Sequence, residues 1–277
     1  MLGTKTGDAA ETIEGIGFKY MIPERLKPKF EIGASMPRAG ARERLARERL
    51  IVALDVPSAR AATELVARLE GSCQWFKVGM ELFTACGPSV VKSLTEKGSS
   101  VFLDLKFHDI PNTVAGAVRS AAGLGVRMLT LHAGGGPAML SAAREALDGL
   151  SNPPQLLAVT VLTSMNASQL QALGIRRTPA KQVELLARVG LKAGIHGFVC
   201  SPEEVADLRA LTGKEGVLVT PGIRPAGADS GDQKRMATPA AALTKGASYL
   251  VVGRPITQAA EPAAAAAAIL AEMAEAL

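Results

Sequence analysis

The sequence predicts an α/β protein: a single closed (β/α)8 TIM barrel preceded by an irregular N-terminal extension. Three observations carry that expectation. From Leu50 onward, eight short runs rich in Val, Leu and Ile alternate with helical patterns, the rhythm of a parallel sheet wound through helices. Polar and charged residues gather at the carboxyl ends of those runs, where a closed barrel places its functional groups around one mouth. An open doubly wound sheet would carry G-x-G-x-x-G after its first strand. Leu54-Asp55-Val56-Pro57 has nothing of that form.

Composition narrows the class. The 277 residues suffice for one large barrel or two smaller domains. Aromatics are only 4% of the chain, so Ala, Val and Leu must fill the core. The net charge is +5, but no Lys/Arg cluster interleaved with aromatics occurs. A nucleic-acid partner is therefore not expected, and the excess suits solubility and anionic small molecules. Cys73, Cys86 and Cys200 are odd in number and far apart, with no C-x-x-C and no metal-ligand spacing. Idle thiols in a reducing cytoplasm are expected. No apolar run approaches the roughly 18 residues of a membrane span, and no basic-then-apolar leader pattern opens the chain.

The elements follow in order. In residues 1–47, Gly, Pro and alternating charges break every periodicity, as in Pro23-Glu24-Arg25-Leu26-Lys27-Pro28. This stretch is expected to be poorly ordered or tag-like, apart from a short, mostly solvated helix over 41–49. Residues 48–277 are expected to form the barrel domain. Its first run, Leu50 to Asp55, leads through Pro57-Ser58 into a helix to about Leu69. Trp75 to Gly79 is the second run, with one helix from about Met80 to Lys97. Val101 to Lys106 is the third, running through Phe107-His108-Asp109-Ile110-Pro111 into a helix. Arg127 to His132 is the fourth, followed by Gly134-Gly135-Gly136-Pro137 and a helix. Gln155 to Thr163 is the fifth, with helices over roughly 166–194. Gly197 to Cys200 is the sixth, and Ser201-Pro202-Glu203-Glu204 reads as the cap and first turn of a helix. Val217 to Thr220 is the seventh, and Tyr249 to Arg254 the eighth, before an Ala-rich helix.

The run ends carry Asp55, Lys77, Asp104 with Lys106, His132, Thr163, Arg224 and Gly253-Arg254. Strand residues at i and i+2 share a face, so Asp104 and Lys106 can pair, and Asp109 lies just beyond. Opposite charges about 4 Å apart attract by roughly 4 kcal/mol at an effective dielectric near 20. An alternating set of Asp55, Lys77, Asp104, Lys106 and Asp109 would therefore keep Lys106 protonated and the carboxylates ionised. An ammonium held this way can donate a proton to a developing carbanion, or the set can be a ligand-ordering ion network. After the seventh and eighth runs, Arg224 and Gly253-Arg254 stand where barrels commonly bind phosphate. Gln233, in the polar loop 226–233, is a candidate to fold over a ligand. His132 is read as a structural strand-end histidine.

These residues also resemble a known family. Asp104-Leu105-Lys106-Phe107-His108-Asp109-Ile110-Pro111-Asn112-Thr113 is similar to the signature of the orotidine 5′-phosphate decarboxylases. Leu54-Asp55, Phe76-Lys77-Val78-Gly79, Leu162-Thr163-Ser164, Pro221-Gly222-Ile223-Arg224, Asp232-Gln233 and Gly253-Arg254 resemble that family's other blocks, in the same order. The resemblance covers about residues 50 to 275. It implies decarboxylation of orotidine 5′-monophosphate to UMP, in pyrimidine biosynthesis, without metal or organic cofactor. Lys106 is then the proton donor and Asp104 lies against the substrate carboxylate. Asp55 and Lys77 bind ribose hydroxyls, with Lys77 also orienting Asp104. Thr163 and Ser164 cover the pyrimidine, and Arg224, Gln233, Gly253 and Arg254 take the 5′-phosphate. Asp109, Ile110 and Thr113 reach the site of a second subunit, so a homodimer is implied. Two alternatives stay open: a metal-dependent sugar-phosphate decarboxylase or synthase with a related D-x-K-x-x-D motif, and a non-catalytic barrel that binds a phosphate ligand.

Overall fold

The computed structural model describes residues 39–225 and 235–277. Eight strands form one closed, wholly parallel barrel in sequence order. They are β1 (Leu50–Ala53), β2 (Trp75–Gly79), β3 (Ser100–Phe107), β4 (Met128–His132), β5 (Gln155–Val159), β6 (Gly197–Val199), β7 (Val217–Thr220) and β8 (Tyr249–Val252). The helices through the fourth strand's crossover are α1 (Ala39–Arg49), α2 (Ala59–Arg68), α3 (Met80–Cys86), α4 (Pro88–Glu96), α5 (Pro111–Ala122) and α6 (Gly136–Glu145). The rest are α7 (Ala167–Ala172), α8 (Pro179–Lys192), α9 (Val205–Thr212), α10 (Pro239–Thr244), α11 (Arg254–Thr257) and α12 (Pro262–Glu275). None of them is long and apolar enough to cross a membrane.

The strand alternation sorts the core into two layers. Ile51, Ala53, Phe102, Met128, Leu157, Val217, Val219 and Val251 fill the barrel interior. Their sequence neighbours, such as Leu50, Val52, Val101 and Leu103, face outward against the helices. Each such side chain, fully buried, contributes roughly 1.5–3 kcal/mol relative to exposure. The interior is thus packed shut below its mouth, and the polar strand ends collect above it.

Four expectations are corrected. The helix expected over Met80–Lys97 is two helices, because Gly87 takes φ 66° and Pro88 restarts the chain; only glycine enters that region without steric cost. The helix before β1 is not mostly solvated: α1 packs on α12 and buries Ala46 and Arg49. Ser201 caps no helix. Glu204 folds back to accept its backbone N–H at 3.0 Å, and the helix starts at Val205. Finally, β5 ends at Val159, so Thr160–Thr163 form a loop over the mouth rather than strand.

The third strand is also irregular. Its pairing with β4 runs Leu103↔Leu129 and then Phe107↔Leu131, so three residues, 104–106, stand opposite the single Thr130. Lys106 is the non-glycine residue with positive φ, at 53°, among the described residues. That conformation costs a non-glycine residue about 1–3 kcal/mol and persists only where its surroundings impose it.

Candidate active site

The strand ends enclose a cavity of about 410 Å³, within the ~300–1,000 Å³ range of small-molecule sites. One side of its wall is ionic: Asp55, Lys77, Asp104 and Lys106. Another is apolar, with Phe102, Val159, Val161, Val199 and Val251. Thr163, Gly222, Arg224, Gly253, Arg254 and Gln258 complete the rim.

The ionic side is a single chain of contacts. Lys77 Nζ donates to Asp55 Oδ1 at 2.9 Å and lies 3.7 Å from Asp104 Oδ2. Lys106 Nζ donates to Asp104 Oδ1 at 2.8 Å. Asp104 and Lys77 expose only 13% of their side chains, Lys106 25% and Asp55 55%. Each of the three inner groups has a neighbour of opposite sign within 3.7 Å, which offsets the cost of holding charge where water is scarce. Gly79 makes room for this chain: a methyl group there would stand 2.9 Å from Lys77 Nζ and 3.4 Å from Asp55 Oδ1.

Behind Lys106, the rings of His108 and His132 lie 5.4 Å apart between centroids. Burial, with help from His108 and Lys106, holds the His132 pKa below the usual imidazole value against the opposing pull of Asp104. A neutral imidazole beside an ammonium suits a structural role for His132. Burial likewise pushes the thiols of Cys73 and Cys200 up to about 12, leaving them unreactive at neutral pH.

The remaining expected residues fall in three places. Asp109, Ile110 and Thr113, at the start of α5, are exposed and contribute nothing to this subunit's cavity. The Asp109 carboxylate instead accepts the Ile110 N–H at 2.6 Å. Ser164 is exposed and stands outside the wall that Thr163 joins. Gln233 lies outside the described residues.

Sequence reasoning missed several groups. Gln258, one turn into the segment after β8, lines the rim. Thr130 is fully buried and its hydroxyl donates to Asp104 Oδ1 at 3.0 Å. Arg235 and Glu204 form a buried ion pair, and Arg235 also donates to the Leu162 carbonyl at 2.9 Å. This pair ties the loops after β5, β6 and β7 together beside the cavity.

Fold and site together define a (β/α)8-barrel protein whose mouth holds a charged Asp/Lys chain facing an apolar wall. The family model described as Orotidine 5′-phosphate decarboxylase / HUMPS family matches residues 48–269. The chain belongs to that family. It is 53% identical over 234 residues to the orotidine 5′-phosphate decarboxylase of Moorella thermoacetica, covering 82% of this chain and 93% of the relative. The enzyme of the same name from Idiomarina loihiensis is 53% identical over 231 residues, covering 83% of this chain and all (100%) of the relative. The crystal structure of orotidine 5′-phosphate decarboxylase from Lactobacillus acidophilus superposes with a TM-score of 0.72 at 41% identity. That match covers 81% of this chain and 98% of the other.

Proposed function

We propose that the chain decarboxylates orotidine 5′-monophosphate to UMP, the final step of pyrimidine nucleotide synthesis, in the cytoplasm. The observation that carries this reading is the contact chain Asp55–Lys77–Asp104–Lys106 set against an apolar wall in one cavity. Asp104 faces the carboxylate of the pyrimidine, an interaction unfavourable in the ground state that vanishes as the group leaves as neutral carbon dioxide. The bond from ring carbon to carboxylate breaks and its electron pair stays on the ring carbon. The Lys106 ammonium stabilises that charge and then transfers a proton to the carbon. Solvent returns a proton to the lysine. Lys77 and Asp55 hold the ribose hydroxyls, Thr163 covers the base from the cavity wall, and the apolar wall takes the departing carbon dioxide. Ser164, which stands outside that wall, is assigned to the base on the family's pattern alone. The residues present supply an acid, a counter-charge and a phosphate pocket by themselves, so no metal or organic cofactor is assigned.

The decisive experiment is the loss of orotidine monophosphate absorbance on adding EDTA-treated protein. Turnover undiminished by the chelator is expected. Activity lost in EDTA and restored by a divalent ion would favour a metal-dependent sugar-phosphate enzyme, and binding without turnover would favour a phosphate-binding barrel.

Arg224, Gln233, Gly253 and Arg254 are assigned to the 5′-phosphate. Arg254→Ala removes a charge-assisted contact worth about 3 kcal/mol. KM is expected to rise about 100-fold, with kcat falling less; an unchanged KM in steady-state assays would remove Arg254 from the phosphate site.

The active unit is a homodimer in this reading, with Asp109, Ile110 and Thr113 completing the partner's site. The exposed start of α5 supports it: Ile110 leaves 67% of its surface in solvent, and Asp109, Ile110 and Thr113 line no part of their own subunit's cavity. Mixing inactive Lys106→Ala with inactive Asp109→Ala subunits should regenerate one intact site per heterodimer. No recovered activity after subunit exchange would show that Asp109 serves its own subunit. We also take residues 48–277 as the decarboxylase domain and residues 1–47 as an extension to it, with α1 packed on the barrel.

A further inference from the structure

We propose that Thr130 is a positioning residue that shapes the catalytic bulge, setting Lys106 and Asp104 relative to one another. The proposal builds on the roles given above to those two residues. Three features of the structure converge on Thr130. It is the single β4 residue opposite 104–106 where β3 bulges. Its hydroxyl accepts the Lys106 backbone N–H at 2.9 Å, taking up a donor that the ladder leaves over. The same hydroxyl donates to Asp104 Oδ1 at 3.0 Å, the oxygen that also receives Lys106 Nζ at 2.8 Å.

A hydroxyl has one proton to give and lone pairs to receive, and both capacities are engaged here. The geometry is therefore closed: one buried oxygen touches the backbone of the proton donor and the carboxylate that holds the donor's ammonium. Thr130 lies in an inward position of β4, between Met128 and His132, where a barrel interior otherwise prefers apolar side chains. A valine would fill the same space without offering either contact. Lys106 would lose the acceptor that holds its left-handed backbone, and Asp104 would lose a donor that sets its rotamer. The ammonium would then be displaced from the position at which the ring carbon is protonated. A misplacement of about 1 Å can cost about 100-fold in rate.

The test compares Thr130→Val, Thr130→Ser and Lys106→Ala in the full chain with orotidine monophosphate as substrate. Thr130→Val is expected to lower kcat about 100-fold with KM within threefold of the parent. Thr130→Ser, which keeps the hydroxyl, is expected to retain most of the rate. Amide hydrogen exchange over 104–107 is expected to speed up in the valine variant and not in the serine variant. A valine variant within twofold of parental kcat would overturn the proposal, as would a serine variant as slow as valine. So would a fall in kcat explained by a matching loss of folded protein in thermal melts. Lys106→Ala separates the two levels. If it turns over at the parental rate, the proton-donor assignment fails and Thr130 with it. If it is inactive while Thr130→Val is fast, Thr130 alone is misassigned.

Discussion

Lys106→Ala is expected to lower kcat by about 10⁴-fold or more, while UMP still binds within about tenfold of the parental affinity. Stopped assays at high enzyme concentration and calorimetric titration with UMP measure the two quantities. The magnitude follows from the role proposed for Lys106. A positioned proton donor contributes up to about 10⁴-fold by itself, and the ammonium also opposes the negative charge that develops on the ring. Its removal further leaves Asp104, only 13% exposed, with Lys77 as its remaining lysine at 3.7 Å. In the proposed reading, product binding rests instead on the phosphate rim and on ribose contacts of Asp55 and Lys77, which the substitution leaves in place. Parental turnover in this variant would refute the proton-donor role.

Glu204→Ala is expected to destabilise the fold by about 3–5 kcal/mol, because it leaves the Arg235 guanidinium buried and unpaired. Arg235 and Glu204 expose only 8% and 5% of their side chains. Urea unfolding followed by circular dichroism measures the loss. Ser201 adds to it, since its backbone N–H donates to Glu204 at 3.0 Å and its hydroxyl to the same carboxylate oxygen. Replacing both members of the pair with apolar residues should cost much less, because no charge is then stranded. A single substitution that leaves the unfolding midpoint unchanged would mean that the loops are held by other contacts. Activity should also respond, since Arg235 holds the carbonyl of Leu162 next to Thr163 in the cavity wall.

The barrel was legible because continuous apolar runs and strand-end charges are properties of the chain itself. Leu50–Ala53 or Val217–Thr220 must be buried on both faces, and a run of apolar residues says so locally. The charged part of the site was legible for the converse reason: Asp104 and Lys106 are out of place in such a run. Thr130 was not. A threonine is an ordinary strand residue, and only the register against β3 reveals that it faces a bulge. Glu204 was read as a helix-opening acid because Ser201-Pro202-Glu203-Glu204 suits a cap. Its partner Arg235 is far along the chain, and a long-range ion pair overrode the local preference. The break at Gly87 was missed because the apolar pattern of Met80–Cys86 continues in phase through Val90, Val91 and Leu94. The site residues themselves rest on the family's pattern and on this geometry, and the substitutions above are their test.

The seam between β1 and β8 bears on how the molecule comes into being. Leu50, Ile51 and Val52 pair with Leu250, Val251 and Val252, so the first strand made waits for the last. Contacts of such sequence separation slow folding, because chain entropy is lost before they form. Until Tyr249–Val252 leaves the ribosome, β1 and β7 present open edges that invite pairing with other chains. The cavity is in the same position, for Asp55 follows β1 and Arg254 follows β8. Both walls of the pocket meet only when the ring is complete. A nascent chain therefore cannot bind nucleotide before its barrel is sealed, and nucleotide binding then stabilises the sealed form alone.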